Sequence, residues 1–216
     1  MRMIDSNMSH LKTCIIIAGG EIQEEIEIFP DALILCADSG YVHALEQNIK
    51  PHVLIGDFDS YTDKLPEDIK IVRYPVEKDV SDTWACVEFA KEHGRTEFMI
   101  YGAFGGDRID HSIANLQLLR SIAEEHLTAR FYYKKQIIRN LNAGEKITFF
   151  RHSIPYFSAF ALSDVCKGVT IKGAKYPLEN AELKNSFPLG LSNEGSEPHV
   201  EISVQEGNLM LVLTKK

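Results

Sequence analysis

The chain has 216 residues, enough for one large or two small domains, and its 44% hydrophobic and 25% charged content is ordinary for a globular protein. A formal net charge of -8 argues against a nucleic-acid partner, which would need a basic face, but not against a nucleotide held through a cation. No apolar run approaches a membrane span, and the first ten residues lack the apolar centre of a signal peptide, so a cytoplasmic protein without membrane contact is expected. The four cysteines, Cys14, Cys36, Cys86 and Cys166, lie far apart with no C-x-x-C pair. They read as reduced, mostly buried thiols rather than a zinc site.

Thr13 to Ala18 is a continuous apolar run closed by Gly19-Gly20, as for a strand buried on both faces. The glycine pair lacks the remainder of a dinucleotide fingerprint, which sets aside a Rossmann cofactor site. Leu33 to Ala37 is a second such run, ending in Asp38-Ser39-Gly40, and Tyr41 to Asn48 reads as a helix with Val42, Leu45 and Ile49 at helical spacing. Val53-Leu54-Ile55 is a third strand. It ends in Gly56-Asp57-Phe58-Asp59-Ser60, and in an extended chain Asp57 and Asp59 leave on the same face. Two carboxylates aimed at one point need a cation or a proton between them.

Ile69 to Tyr74 is a fourth strand, leading to Lys78-Asp79-Val80-Ser81-Asp82. Ser81 is the expected N-cap of a helix from Asp82 to His93, with Ala85, Phe89 and Ala90 toward the core and Gly94 just past its end. Phe98 to Tyr101 is a fifth strand, followed by Gly105-Gly106-Asp107-Arg108-Ile109-Asp110-His111 and a helix from Ser112 to about Glu125 with Ile113, Leu116, Leu119, Arg120 and Ala123 at its period. Ala129 to Tyr133 is a sixth strand. Residues 11–133 therefore read as an α/β domain with a mostly parallel sheet flanked by helices.

From residue 134 to 216 the helical signals stop. Short alternating segments remain at 136–140, 146–150, 157–162, 169–171, 200–204 and 209–213, a smaller all-β domain with many edges. Such a sheet is marginal alone, and a second copy of the chain around a two-fold axis is the simplest cover for it.

Ligands of open α/β sheets sit at the carboxyl ends of the strands. Four motifs fall at four such ends: Asp38; Asp57 and Asp59; Lys78, Asp79 and Asp82; Arg108, Asp110 and His111. Each alone has a dull explanation, as a solvated turn, a helix start or a surface ion pair. Together, carboxylates with a lysine and an arginine suit a Mg²⁺-polyphosphate, the acids holding the ion and the cations neutralising phosphate oxygens. Neither a P-loop nor protein-kinase signatures are present.

This constellation, with Asn115, resembles bacterial thiamine pyrophosphokinases. Phe157 to Leu162, Gly168 to Leu178, Leu191-Ser192-Asn193-Glu194 and Glu206-Gly207 extend the likeness through the second half. The resemblance implies an N-terminal α/β catalytic domain, a C-terminal β-sandwich that binds thiamine and forms a homodimer, and transfer of the pyrophosphoryl group of ATP to the thiamine hydroxyl, giving thiamine diphosphate and AMP. It implies Asp57, Asp59, Asp79 and Asp82 around Mg²⁺, with Asp110 and Arg108 beside them as catalytic groups. Asp38, Lys78, Arg108, His111 and Asn115 would face ATP and its phosphates. Ser81, Asp82, Ser192 and Asn193 would face thiamine, the last two reaching it from the partner subunit across an interface active site. Either Asp82 or Asp110 would accept the hydroxyl proton.

Three departures stand out. Ser39 replaces a usual glycine, Ser81 a usual threonine, and Asp107 lengthens the usual G-G-R-x-D-H by one residue. The competing readings are a Mg²⁺-dependent nucleotide phosphohydrolase, a non-catalytic thiamine or nucleotide sensor, and an interaction module with solvated acids. A sensor would be expected to have lost one of Asp57, Asp59, Asp82, Arg108 or Asp110, and all five are present.

Overall fold

The computed structural model describes residues 12–58, 65–73 and 80–216. The chain packs into two compact units, one formed by residues up to 118 with 131–134, the other by 119–130 with 135–216. The division falls inside a helix and a strand instead of in a linker.

In the first unit β1 (Thr13–Ile17), β2 (Leu33–Ala37), β3 (Val53–Gly56), β4 (Lys70–Arg73) and β5 (Glu97–Tyr101) form a parallel sheet in the order β5-β1-β2-β3-β4. The central strands are apolar on both faces because both faces are covered. Ile15, Ile16 and Ile17 are all fully buried, each worth about 1.5–3 kcal/mol of transfer free energy. One face is a cluster of Ile15, Ile17, Ile34, Cys36, Leu54, Met99 and Tyr101, joined by Tyr41 and Ala44 of helix α1 (Gly40–Glu46) and by Phe58. Helix α2 (Asp82–Glu92) packs on β1, β2 and β3 and buries Ala85, Phe89 and Ala90, as its period predicts. The Ser81 hydroxyl accepts the Trp84 backbone N–H at 3.3 Å, so the expected N-cap forms. Burial drives the Cys14 and Cys36 thiols far upward in pKa, which leaves them inert.

Two helices differ from the pattern reading. In α1 the buried residues are Gly40, Tyr41 and Ala44, while Val42 and Leu45 are 41% and 50% exposed. Small residues seat that helix, because Gly40 lies so near β1 that a Cβ would stand 2.1 Å from the Ile17 carbonyl oxygen. Helix α3 (Ile109–Glu124) begins three residues before Ser112, so Asp110 and His111 lie in its first turn. Ile109 and Ile113 are 74% and 53% exposed, and an opening turn that buries no apolar side chain gives no periodic signal.

The second unit contains two antiparallel sheets. Its first sheet is ordered β12-β9-β14-β7, from β7 (Gln136–Leu141), β9 (Tyr156–Ala161), β12 (Gly190–Glu194) and β14 (Leu209–Thr214). The second runs β11-β10-β13-β8, from β8 (Lys146–Phe150), β10 (Val165–Lys172), β11 (Leu178–Lys184) and β13 (His199–Ser203). Leu209, Leu211 and Leu213 alternate inward along β14, and Phe149 of β8 meets Phe157 of β9 edge to face at 5.4 Å. This is the expected sandwich. Strands β11 and β12 are additional to the six segments the alternation predicts, since neither buries an alternating row of apolar side chains. β6 (Thr128–Tyr133) completes the strands.

Gly40→Ala should destabilise the fold by roughly 1–3 kcal/mol, the usual cost of overpacking, because the Ile17 main chain cannot yield as a flexible side chain would. Equilibrium denaturation measures it, and a loss under 0.5 kcal/mol would show that α1 is free to shift.

Candidate active site at the carboxyl edge

Parallel pairing puts the ends of β1, β2, β3 and β5 on one rim. Cys36 lies opposite Leu54 and Ala37 opposite Ile55, so Asp38 and Asp57 leave adjacent strands within one step of each other. The Asp38 backbone N–H donates to the Ile55 carbonyl at 2.8 Å. Gly56 is required by close approach: a Cβ there would lie 3.1 Å from Asp38 Cα. The two acidic loops are therefore packed main chain to main chain.

Two non-glycine residues on this rim have left-handed backbones, Asp38 at φ 45° and Phe58 at φ 59°. For a bulky aromatic that conformation costs of order 1–3 kcal/mol and persists only where the surroundings impose it. Burial of the Phe58 ring in the core is one such restraint. Ser39, in contrast, is an ordinary right-handed residue (φ −60°, ψ −11°), so the serine in place of the usual glycine strains nothing. Its hydroxyl instead fills space beside Gly19, 2.1 Å from where a Cβ would stand.

The loop after β5 carries the second half of the rim. Gly20 N–H donates to Gly102 O at 2.8 Å and Glu21 N–H to Phe104 O at 3.0 Å, tying the turn after β1 to it. Gly105 (φ 87°) packs under Glu21, whereas Gly106 (φ 74°) faces open space. Asp107 adds its residue on the exposed side, next to Arg108 and ahead of the first turn of α3 that carries Asp110 and His111. The buried Asn115 donates from Nδ2 to Ala103 O at 2.6 Å and pins α3 to this loop. Arg108 binds Asp110 through Nε at 2.9 and 3.2 Å and through Nη2 at 2.6 Å. The guanidinium hydrogen bond holds the Asp110 carboxyl down at about 2. Asp82 opens α2, where its charge faces the positive end of the helix.

Asp59, Lys78 and Asp79 lie outside the described residues. Among the described residues no three carboxylate, imidazole or thiolate groups gather closely enough to hold a metal ion.

In the second unit Ser192 is exposed with φ 58°, and its N–H donates to Ser158 Oγ at 3.1 Å, at a register shift in the β12–β9 pairing. Asn193 is buried. Its Oδ1 accepts from Tyr176 N–H at 3.1 Å and its Nδ2 donates to Tyr176 O at 2.7 Å, so the amide is committed to the main chain of the 175–176 turn. Tyr176, whose ring is exposed, falls within the 168–178 stretch that carries the likeness, whereas the motif reading passes over Arg73 at the end of β4. Nothing in residue spacing singles out either.

The fold places this chain among two-domain proteins with an α/β half bearing an acidic rim and a β-sandwich half. Comparison with known proteins narrows this. The family model described as "Thiamin pyrophosphokinase, catalytic domain" matches residues 28–131, and "Thiamin pyrophosphokinase, vitamin B1 binding domain" matches residues 146–209. The chain is similar to the thiamine pyrophosphokinase of Bacillus subtilis (strain 168), 29% identical over 211 residues that cover 94% of this chain and 98% of the relative. A crystal structure of thiamine pyrophosphokinase from Bacillus subtilis superposes with a TM-score of 0.83 at 26% identity, covering 95% of this chain and 100% of that one. The thiamin pyrophosphokinase structure from Geobacillus thermodenitrificans gives 0.78 at 25% identity, with 94% and 98% covered. The chain belongs to the thiamine pyrophosphokinase family.

Removing the guanidinium should free Asp110. In Arg108→Gln its carboxyl should titrate near the ordinary value of about 3.9, up from about 2, read by NMR of the side-chain carbon. The sign follows from a depressed folded value: the ionised pair stabilises above the unfolded pKa and is lost as pH falls toward 2. An unchanged midpoint would mean that another group holds Asp110 ionised.

Proposed function

We propose that this protein is a thiamine diphosphokinase that moves the pyrophosphoryl group of ATP to the primary hydroxyl of thiamine, releasing AMP. The observation that carries the reading is the abutment of the Asp38 and Asp57 loops at the carboxyl edge of a sheet whose family is that of these enzymes. The described acids of these motifs, Asp38, Asp57 and Asp82, offer carboxylate oxygen, the ligand type of a hard cation. Asp57, Asp82 and, from the sequence, Asp59 and Asp79 would hold Mg²⁺, which when bound neutralises charge on the transferring phosphates.

The hydroxyl oxygen forms a bond to the β-phosphorus, and the bond from that phosphorus to the α–β bridging oxygen breaks, leaving AMP. Arg108 and, from the sequence, Lys78 would meet the phosphates, with Asp38, His111 and Asn115 on the ATP side. Asp110 is a poor base while Arg108 keeps its carboxyl near 2, which favours Asp82 as the acceptor of the hydroxyl proton. Ser81 and Asp82 face thiamine, the Ser192 hydroxyl meets the substrate, and Asn193 acts by shaping the turn beside it. Two chains would pair, each completing the other's site with Ser192. The exposed Leu189 and Leu191 at β12, the outermost strand of its sheet, suit a covered surface. We place the enzyme in the cytoplasm, in keeping with four free cysteines and with the lack, among the described residues, of any helix long and apolar enough to cross a membrane.

With ATP, Mg²⁺ and thiamine, chromatography should show AMP and thiamine diphosphate in equal amounts and only when thiamine is present. Asp57→Asn should cost on the order of 10²-fold in turnover with the fold intact. ADP as the sole nucleotide product, or phosphate released without thiamine, would point to a different enzyme class.

A further inference from the structure

Arg73 is the last residue of β4 and sits in register with Gly56, the last residue of β3. Its side chain lies against the acidic turn that follows Gly56. Arg73 Nη1 donates to the Asp57 main-chain carbonyl at 3.2 Å, and the guanidinium carbon stands 5.6 Å from the centroid of the Phe58 ring. Phe58 is the residue with the left-handed backbone, φ 59°, whose ring is buried. One side chain thus grips both halves of the strained dipeptide, the carbonyl before the peptide bond and the ring after it.

We propose that Arg73 is a positioning residue for magnesium-nucleotide binding, locking the Asp57–Phe58 turn in the left-handed form that aims Asp57 from the rim. A bulky residue at positive φ relaxes unless it is held. Burial of the ring restrains the side chain of Phe58, but the peptide between Asp57 and Phe58 could still rotate about its ends. The Arg73 hydrogen bond fixes that peptide, because turning its carbonyl away breaks the bond. The planar guanidinium can donate to a carbonyl and lie near a ring face together, which an ammonium does less well. A fixed peptide sets the direction of the Asp57 side chain, and misplacement of about an ångström at such a group is costly.

The inference rests on the reading of Asp57 as a magnesium ligand, so the test separates the two. Mg²⁺ with α,β-methylene ATP is titrated calorimetrically into wild type, Arg73→Ala, Arg73→Gln and Arg73→Lys, and steady-state assays give KM for Mg-ATP and thiamine. The expected result is about tenfold weaker Mg-nucleotide binding and a matching rise in the Mg-ATP KM for Arg73→Ala and Arg73→Gln, about 1.4 kcal/mol. The thiamine KM and the melting temperature without nucleotide should hold, and Arg73→Lys should recover part of the loss. Because Arg73 is exposed, these variants should fold. If wild type makes AMP from ATP and thiamine while Arg73→Ala binds Mg-nucleotide as wild type does, the role of Arg73 is refuted and the function stands. If wild type neither binds the Mg-nucleotide nor makes AMP, the reading of Asp57 fails and the role of Arg73 with it.

Discussion

The main-chain contact between the Asp38 turn and the end of β3 is the constraint on which the catalytic half depends. Parallel strands have their ends fixed by hydrogen-bond register, so pairing of Ala37 with Ile55 brings two acidic turns together without any attraction between their side chains. Glycine at position 56 is what allows the approach. Strain at Asp38 and Phe58 accompanies it, since both residues adopt a left-handed backbone where the chain leaves β2 and β3.

The two halves of the rim are held differently. The Asp57 turn depends on side-chain grips, a buried ring and a guanidinium, while the loop after β5 depends on backbone bonds from Gly20 and Glu21 and on the amide of Asn115. Exposed Arg108, just before α3, and Asp110, in its first turn, are bonded to one another. Exposed ion pairs of this kind contribute little to stability. In the sandwich, Asn193 spends its amide on the Tyr176 main chain, and the neighbouring Ser192 keeps its hydroxyl at the surface.

Much of this was legible in the chain itself. The buried strands announce themselves as apolar runs, the Ser81 cap as a hydroxyl ahead of a helical period, and the acidic rim as motifs recurring after strand ends. What periodicity could not show were features that bury little. The opening turn of α3 has Ile109 in solvent, and β11 and β12 are polar on most positions. The seating of α1 on Gly40, Tyr41 and Ala44 was hidden because a close backbone approach leaves no apolar pattern. The Arg73 side chain holds the main chain of Asp57, and the Asn193 amide that of Tyr176, residues distant in sequence, and no spacing rule encodes such contacts.

The central claim is that acids from separate strand ends converge on one magnesium-loaded triphosphate. A crystal structure with Mn²⁺ in place of Mg²⁺ and α,β-methylene ATP, with the metal located by anomalous scattering, tests it most directly. The account predicts a metal peak at the carboxyl edge, bonded to an Asp57 carboxylate oxygen at a distance near the ~2.1 Å of hard-cation coordination and also to phosphate oxygens. A nucleotide bound away from that edge, or a metal out of reach of Asp57, would contradict it.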